Sequence, residues 1–327
     1  MLTTWRTGWR ATTSHQGDCI RSAFVKFLFD RLKAGEELYL MTGDLGFGAF
    51  DELRKQFPKN LINMGVAEQS LISIGTGMAM SGKRVYCYSI LPFVSFRPFE
   101  QIRIACYNKA PIVVVGMGAG LDYGVAGSTH FGLEDIQVMT ALPNIIVLSP
   151  CDSKETEVLL SKLDSDGHKK PVYLRLTKNS EPQIHDKYDE IKIGVPLKLR
   201  DGSDIAIVST GAVTKTAIEV AQRLEKDGHS CEVWDMHTLK PVRADRLLES
   251  IGSKKAVVTI EENTGGLMRI IASEMKKRTY INDIKLISFA LPDEFDDNVG
   301  EREWMLDRAG LSTDKIYSKL STMIKRG

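Results

Sequence analysis

The sequence lacks a long apolar run and lacks an excess of charge of either sign. Its longest apolar stretch, residues 111–121, is rich in glycine and too short to span a bilayer, and the N-terminal residues show no continuous apolar core of a signal peptide. Its 43 basic and 42 acidic residues nearly cancel, which removes the electrostatic basis for binding nucleic acid or an anionic membrane. We therefore expect a cytoplasmic protein with no nucleic-acid partner and no membrane partner.

Cysteine and histidine are few and scattered. The 327 residues include five cysteines and six histidines, with no Cys-x-x-Cys pair and no histidine at metal-ligand spacing. This pattern predicts neither a disulfide framework nor a zinc site, and the cysteines are expected to be small buried hydrophobic residues. A dinucleotide-binding fingerprint is missing as well, because Leu121 occupies the position of its third glycine. The pattern therefore indicates no metal ligand and no nicotinamide site.

Short β-rich runs alternate with longer amphipathic segments along the whole chain. Runs that are hydrophobic on both faces and separated by helices predict a parallel sheet covered on each side. A polar stretch with proline and glycine interrupts the pattern after residue 177, and the alternation restarts at 205–209. We therefore predict an α/β protein with two three-layer domains, each built on a mainly parallel sheet. The predicted boundaries are an N-terminal extension at 1–17, a first domain at 18–180, a linker at 181–203 and a smaller second domain at 204–327.

Glu68 is the most informative residue of the chain. It precedes residues 71–82, which carry no charge and have apolar residues at helical spacing, so we expect Glu68 to lie beside a helix that packs inward. A buried carboxylate without a partner is costly. Glu68 is therefore either a satisfied core or capping acid, or a carboxylate that meets a ligand nitrogen and exchanges a proton with it.

The segment around Glu68 resembles the Gly-Ile-Ala-Glu-Gln segment of the pyrimidine-binding domain in the transketolase family of thiamine diphosphate enzymes. Residues 89–103, 127–135 and 142–152 are similar, in the same order, to the family's aromatic-rich, Thr-His-Gln…Glu-Asp and Ile-Pro-Asn…Pro-x-Asp segments. Together, four ordered motifs are far more specific than any one of them. The second unit resembles the transketolase C-terminal domain, which in this family mostly supports assembly. The resemblance thus implies a pyrimidine-binding domain followed by a transketolase C-terminal-like domain.

The resemblance also implies which residues contact the cofactor. Glu68 would bind N1′ of the aminopyrimidine and favour the imino tautomer that takes the thiazolium proton, and His130 would face the substrate. Phe93 and Phe96 are candidates for the face on which a flat pyrimidine stacks. The first aromatic residue of the family segment is replaced by Ile90, so either Phe93 is the stacking residue or Ile90 provides an apolar floor.

Three basic residues are candidates for contacting a substrate phosphate. Arg97 aligns with an arginine that contacts the substrate phosphate in the deoxyxylulose-phosphate synthase branch of the family. Arg175 and Lys178 fall near another basic site used for the same purpose. The alternative for Arg97 is a salt bridge with Glu100 or with another acid at helical spacing.

The family's magnesium and diphosphate motif, Gly-Asp-Gly followed by Asn, is missing, since residues 43–45 read Gly-Asp-Leu. The resemblance therefore implies the C-terminal half of a split enzyme, in which a transketolase N-terminal-like partner subunit holds most of the contacts to Mg²⁺. Thiamine diphosphate would lie at the interface of the two chains, and two-fold symmetry would give an α2β2 assembly.

Further departures from the family concern the substrate. Gly118 and Ala126 stand where sugar-using transketolases place a histidine and an aspartate that read donor hydroxyls, and Phe131 replaces a glutamine. Such a pocket should discriminate weakly between ordinary ketose phosphates, so we expect a donor that is a smaller or less polar 2-oxo acid or an unusual sugar. The expected substrate partner is accordingly a sugar phosphate or a 2-oxo acid.

We predict transfer of a two-carbon or acyl-carbanion unit between carbonyl substrates. Two alternatives remain: a decarboxylating subunit like that of a 2-oxo acid dehydrogenase or deoxyxylulose-phosphate synthase, and a regulatory subunit with a decayed pocket. The retained Glu68 argues against the second of these.

Overall fold

The computed structural model describes residues 19–165, 167–178, 183–278 and 284–325, so the predicted extension at 1–17 lies outside the described residues. The helices are α1 (Ile20–Lys33), α2 (Asp51–Gln56), α3 (Glu68–Met80), α4 (Leu91–Phe96), α5 (Phe99–Tyr107), α6 (Asp135–Ala141), α7 (Ser153–Ser165), α8 (Thr214–Lys226), α9 (Asp245–Ile251), α10 (Gly266–Lys276), α11 (Arg302–Arg308) and α12 (Thr313–Lys325). The strands are β1 (Leu38–Thr42), β2 (Leu61–Asn63), β3 (Arg84–Ile90), β4 (Ile112–Met117), β5 (Ile146–Leu148), β6 (Val172–Leu176), β7 (Leu197–Arg200), β8 (Ile205–Ser209), β9 (Cys231–Asp235), β10 (Thr238–Lys240), β11 (Ala256–Ile260) and β12 (Lys285–Phe289). Within these ranges no helix has the length and apolar character needed to cross a membrane.

Two mainly parallel sheets organise the chain. The first has seven strands in the order β10-β5-β6-β4-β3-β1-β2, and the second has five in the order β12-β11-β8-β9-β7. One edge strand in each sheet is antiparallel: β10 pairs with β5, and β7 pairs with β9. The structure confirms the predicted class of two α/β domains built on parallel sheets. The predicted domain boundaries remain a prediction, and β7 lies inside the segment predicted as a linker.

The central strand β4 shows why both faces of the first sheet are covered. Every residue of β4 is buried, and successive side chains point to opposite faces, as the two-residue period of a strand requires. Ile112 and Val114 join one hydrophobic cluster, whereas Val113 and Val115 join another on the opposite face. A strand of this kind cannot have a solvated face, so helices pack on both sides of the sheet.

The hydrophobic core continues from one sheet to the other. The cluster that contains Val114 also contains Val208 and Trp234 from the second sheet and Leu247 from α9. In addition β10, which follows β9 in the chain, lies at the edge of the first sheet. The two domains therefore share buried surface and fix each other's position.

The parallel arrangement brings several loops to one edge of the first sheet. In the strand register, Thr42 pairs with Tyr88, and Met117 pairs with both Ile90 and Leu176. The carboxyl ends of β1, β3, β4 and β6 thus lie side by side. In open α/β sheets this edge is where ligands bind, and here it positions the candidate site.

Candidate active site

Glu68 is the first residue of α3 and is 4% exposed. The preceding residue is an alanine, which provides no side-chain cap for the helix. Both carboxylate oxygens of Glu68 accept hydrogen bonds from Nη1 of Arg97, at 3.1 and 3.2 Å. The ion pair therefore offsets part of the cost of desolvating the carboxylate.

Arg97 lies at the C-terminal end of α4 and connects the carboxylate to an aromatic ring. Its guanidinium carbon is 4.1 Å from the centroid of the Phe93 ring, and its side chain is 48% exposed. The expected alternative of a salt bridge is found, but the acid is Glu68, which is 29 residues away in the chain. Glu100 pairs with Arg103 instead, at 3.5 Å.

His130 lies next to this pair, in a short 3-10 turn at Ser128–His130. Its ring centroid is 5.1 Å from that of Phe93 and 6.2 Å from that of Tyr123. Burial, and then the charge of Arg97, lowers the pKa of His130 below its ordinary value of 6.5. The imidazole is therefore mostly neutral at pH 7, so it can accept a proton and can also carry one on a ring nitrogen.

Lys178 extends the same row of side chains. Its ammonium nitrogen is 4.6 Å from the centroid of the Tyr123 ring, and its backbone N–H donates to Asp122 at 2.6 Å. Burial raises the pKa of Asp122 to about 7. The structure thus brings Glu68, Phe93, Arg97, His130 and Lys178 into one continuous set of neighbours.

Arg175 does not belong to this set. Its side chain is 3% exposed, its Nε donates to Asp135 at 3.0 Å, and its Nη2 donates to the carbonyls of Gly132 and Glu262 at 3.1 and 2.8 Å. The guanidinium is enclosed and its donors serve the protein interior. We therefore remove Arg175 from the candidates for binding a substrate phosphate.

The other two candidates for cofactor contact are less well placed than Phe93. Ile90 is half-buried at the end of β3, directly before α4. Phe96 is 37% exposed at the end of α4. Among the described residues, the ring contact to His130 from this segment comes from Phe93. Phe93 is therefore the stronger candidate for a stacking face.

The three departures from the family are explained differently by the structure. Gly118 has φ of +92°, and a Cβ there would lie 2.1 Å from the ring of Tyr123, so that ring excludes a side chain at this position. Phe131 is 2% exposed in the core of the second sheet and does not line the site, which corrects its predicted place in the pocket. Ala126 is exposed. Tyr123, which the sequence analysis did not single out, thus fills the space that a side chain at position 118 would need.

The backbone of Gly43 lies close to Glu68 and Ser89. A Cβ added at Gly43 would lie 3.8 Å from Oε1 of Glu68 and 3.5 Å from Oγ of Ser89. Ser89 Oγ is buried and has no hydrogen-bond partner among the described residues. This hydroxyl is a polar group that a ligand or a water molecule beside the carboxylate can satisfy.

A separate polar cluster lies where α7 begins. Cys151, Glu155 and His185 offer ligand atoms within 4.8 Å of one another, although their spacing in the sequence suggested no metal site. The backbone N–H of Lys187 donates to Nδ1 of His185 at 3.1 Å, which places the ring proton on Nε2, facing Glu155 at 3.9 Å. This tautomer suits a contact between imidazole and carboxylate and does not suit a metal on Nε2.

Comparison with known families decides the assignment. The model described as "Transketolase, pyrimidine binding domain" matches residues 19–183, and "Transketolase, C-terminal domain" matches residues 194–316. The chain belongs to the transketolase family. Its predicted identity as the C-terminal, pyrimidine-binding part of a transketolase-like enzyme is thereby confirmed.

Two relatives and one solved structure extend the family match. A chain of Methanocaldococcus jannaschii described as a transketolase C-terminal section is 31% identical over 94% of this chain and 96% of its own length. One of the subunits of apulose-4-phosphate transketolase from Phocaeicola vulgatus is 27% identical over 84% of this chain and 88% of its own length. A structure titled "Split gene transketolase, inactive beta4 tetramer" is 28% identical, covers 94% of this chain and 98% of its own, and superimposes with a TM-score of 0.80. Transketolase chains of this length therefore exist as separate subunits.

Proposed function

We propose that this chain binds the aminopyrimidine of thiamine diphosphate through Glu68 and transfers a two-carbon unit between sugar phosphates, together with an N-terminal-like partner chain. The observation that carries the proposal is the buried carboxylate of Glu68 at the start of α3, beside Phe93, Arg97 and His130.

The residues around Glu68 fit an aminopyrimidine. The carboxylate can bond a ring nitrogen, and the unpaired hydroxyl of Ser89, which lies near it beside Gly43, can bond a polar group of the ring. When bound, thiamine diphosphate supplies the nucleophilic carbon that attacks a carbonyl substrate. Glu68 would hold a proton at N1′, and Phe93 would cover one side of the site with an aromatic face.

His130 and two cations would act on the substrate. His130 has a lowered pKa and is mostly neutral, so it can accept a proton from a substrate hydroxyl and return it at pH 7. Arg97 and Lys178 carry positive charge on the two sides of His130, through Phe93 and Tyr123 respectively. A phosphate group held by Arg97 or by Lys178 would orient the substrate against His130. The relative that belongs to an apulose-4-phosphate transketolase supports a sugar phosphate over a 2-oxo acid.

The need for a partner chain is supported by what this chain lacks and by what it exposes. It lacks the Gly-Asp-Gly…Asn motif, so the partner would hold Mg²⁺ and the diphosphate, in an α2β2 assembly. Phe47 is 72% exposed in the loop between β1 and α2, and Val66 is 73% exposed in the loop that precedes Glu68. Large apolar side chains at the rim of a site are typical of a surface that another chain covers. The similar structure titled an inactive β4 tetramer supports the same conclusion.

The test combines this chain with the product of a gene that resembles a transketolase N-terminal half. Saturable binding of thiamine diphosphate and Mg²⁺, measured by calorimetry, is expected in the mixture and not in either chain alone. In the mixture, Glu68→Gln is expected to reduce turnover at least about 100-fold, because an amide cannot hold and release the proton. Exposed Glu52 on α2 provides the matched control, and Glu52→Gln should leave turnover unchanged. Undiminished turnover of the Glu68→Gln enzyme, or cofactor binding by this chain alone, would refute the proposal.

A further inference from the structure

The ion pair between Glu68 and Arg97 joins a residue that would bind the cofactor to a residue that would bind the substrate. We propose that Arg97 is a displaceable partner of Glu68, which occupies the carboxylate until the aminopyrimidine arrives and is then released to bind the substrate phosphate. This inference rests on the proposed function and adds an order of events to it: cofactor binding prepares the phosphate site.

The first step of the argument is competition at the carboxylate. A single nitrogen, Nη1 of Arg97, bonds both oxygens of Glu68 at 3.1 and 3.2 Å. A ring nitrogen must come within about 3.2 Å of one of these oxygens to form a hydrogen bond. The guanidinium is itself a charged donor, so a ring nitrogen must compete with a strong hydrogen-bond partner at this carboxylate. Arg97 and a ring nitrogen therefore compete for the same two oxygens, and we expect the cofactor to bind better once Arg97 has left.

The second step is that Arg97 can leave at low cost. Its side chain is 48% exposed, so water can solvate the charge once the ion pair opens. The guanidinium lies over the Phe93 ring, and a cation can slide over an aromatic face while keeping part of this contact. In the described part of the chain, Nε and Nη2 of Arg97 donate no hydrogen bond to other residues. The backbone of Arg97 is helical and ends α4, so rotation of the side chain is sufficient.

The third step is the destination of the guanidinium. Phe93 contacts His130, His130 contacts Tyr123, and Lys178 lies over Tyr123. A phosphate placed along this row would attract Arg97 away from Glu68, because a bidentate bond to phosphate satisfies two of its N–H donors. Binding of phosphate and binding of cofactor must then strengthen each other by the same factor.

The experiment titrates thiamine diphosphate and Mg²⁺ into the assembled two-chain enzyme, with and without inorganic phosphate. Without phosphate, Arg97→Met is expected to lower the cofactor Kd about fivefold, at the small end of coupling effects, because the lost charge is partly screened. For each protein we take the ratio of the cofactor Kd with phosphate to the cofactor Kd without it. This ratio should be smaller in the wild type than in Arg97→Met. Competition of phosphate with the cofactor's own diphosphate is equal in both proteins and cancels in this comparison. Arg103→Met, which removes an exposed arginine on α5, is the matched control and should behave like the wild type.

The outcomes separate this inference from the function on which it rests. If the cofactor binds, and Glu68→Gln weakens its binding, but Arg97→Met neither tightens binding nor changes the effect of phosphate, the inference is wrong and the proposed function stands. If the cofactor does not bind the assembled enzyme, or binds the Glu68→Gln enzyme as tightly as the wild type, both are wrong. Tighter binding by Arg97→Met together with loss of the phosphate effect supports both.

Discussion

Two arginines that the sequence placed in the same role should respond very differently to removal. Arg175 is enclosed and forms an ion pair with Asp135, whose side chain is fully buried. Truncating one partner of a buried ion pair typically costs about 3–5 kcal/mol, because the other charge remains buried without compensation. Asp135 keeps hydrogen bonds from Tyr173 at 3.0 Å and from Asn263 at 3.1 Å, which favours the lower end of that range. We therefore expect Arg175→Met to lower the free energy of unfolding by about 3–4 kcal/mol.

Arg97→Met should cost less than about 1 kcal/mol, because the Arg97 side chain is half exposed and its removal admits water to Glu68. The assay is urea unfolding of the isolated chain, followed by circular dichroism and tryptophan fluorescence. Replacing Asp135 as well, by Asn, removes the buried charge, so the Asp135→Asn, Arg175→Met double variant should recover part of the loss. Equal costs for Arg175→Met and Arg97→Met, or no recovery in the double variant, would refute the assignment of Arg175 to the interior.

Three further predictions concern pH and packing. Burial raises the pKa of Asp122 to about 7, so between about pH 5 and 7 the folded protein holds a proton that the unfolded chain has released. Over this range the free energy of unfolding should fall with rising pH by about 1.4 kcal/mol per pH unit more in the wild type than in Asp122→Asn. Urea midpoints that change in parallel with pH in the two proteins would contradict this. Gly75→Ala should lower the stability of the fold, because its Cβ would lie 2.5 Å from a buried cysteine sulfur. Gly77→Ala, on the open side of the same helix, should raise the stability by about 0.5–1 kcal/mol. A higher melting temperature for Gly75→Ala than for Gly77→Ala would show that this packing is wrong. Arg97→Met should raise the pKa of His130 in an imidazole NMR titration. An unchanged pKa would show that the charge of Arg97 does not act on His130.

The sequence predicted the parallel sheets because their strands are apolar on both faces, and β4 shows the reason most directly. It also predicted that Glu68 would be a buried acid, since an uncharged apolar helix follows it. These are local patterns with a local physical cause. The resemblance to the transketolase family then supplied the candidates for neighbouring roles, including His130 and Phe93, which the structure brings together.

What the sequence could not predict depends on contacts between distant segments. The acid that pairs with Arg97 is 29 residues away, and no helical spacing indicates it. The burial of Arg175 arises from the packing of the second domain onto the first, through the carbonyl of Glu262. Phe131 is adjacent to His130 in the chain, yet it points into the core of the other sheet. Tyr123 is visible in the sequence as an aromatic residue in the loop after a glycine-rich strand end, but nothing local shows that it fills the space over Gly118.

The placement of β10 has a consequence for dividing or recombining this protein. A fragment that ends near residue 203 would contain β1 to β7 but would lack β10, leaving the edge of β5 without its antiparallel neighbour. It would also uncover the apolar face that α9 and the second sheet bury. An unpaired strand edge beside an exposed apolar face promotes association between copies, so such a fragment should aggregate. A chimaera that exchanges C-terminal domains within the family should therefore place its junction so that Thr238–Lys240 stays matched to the β5 edge it completes.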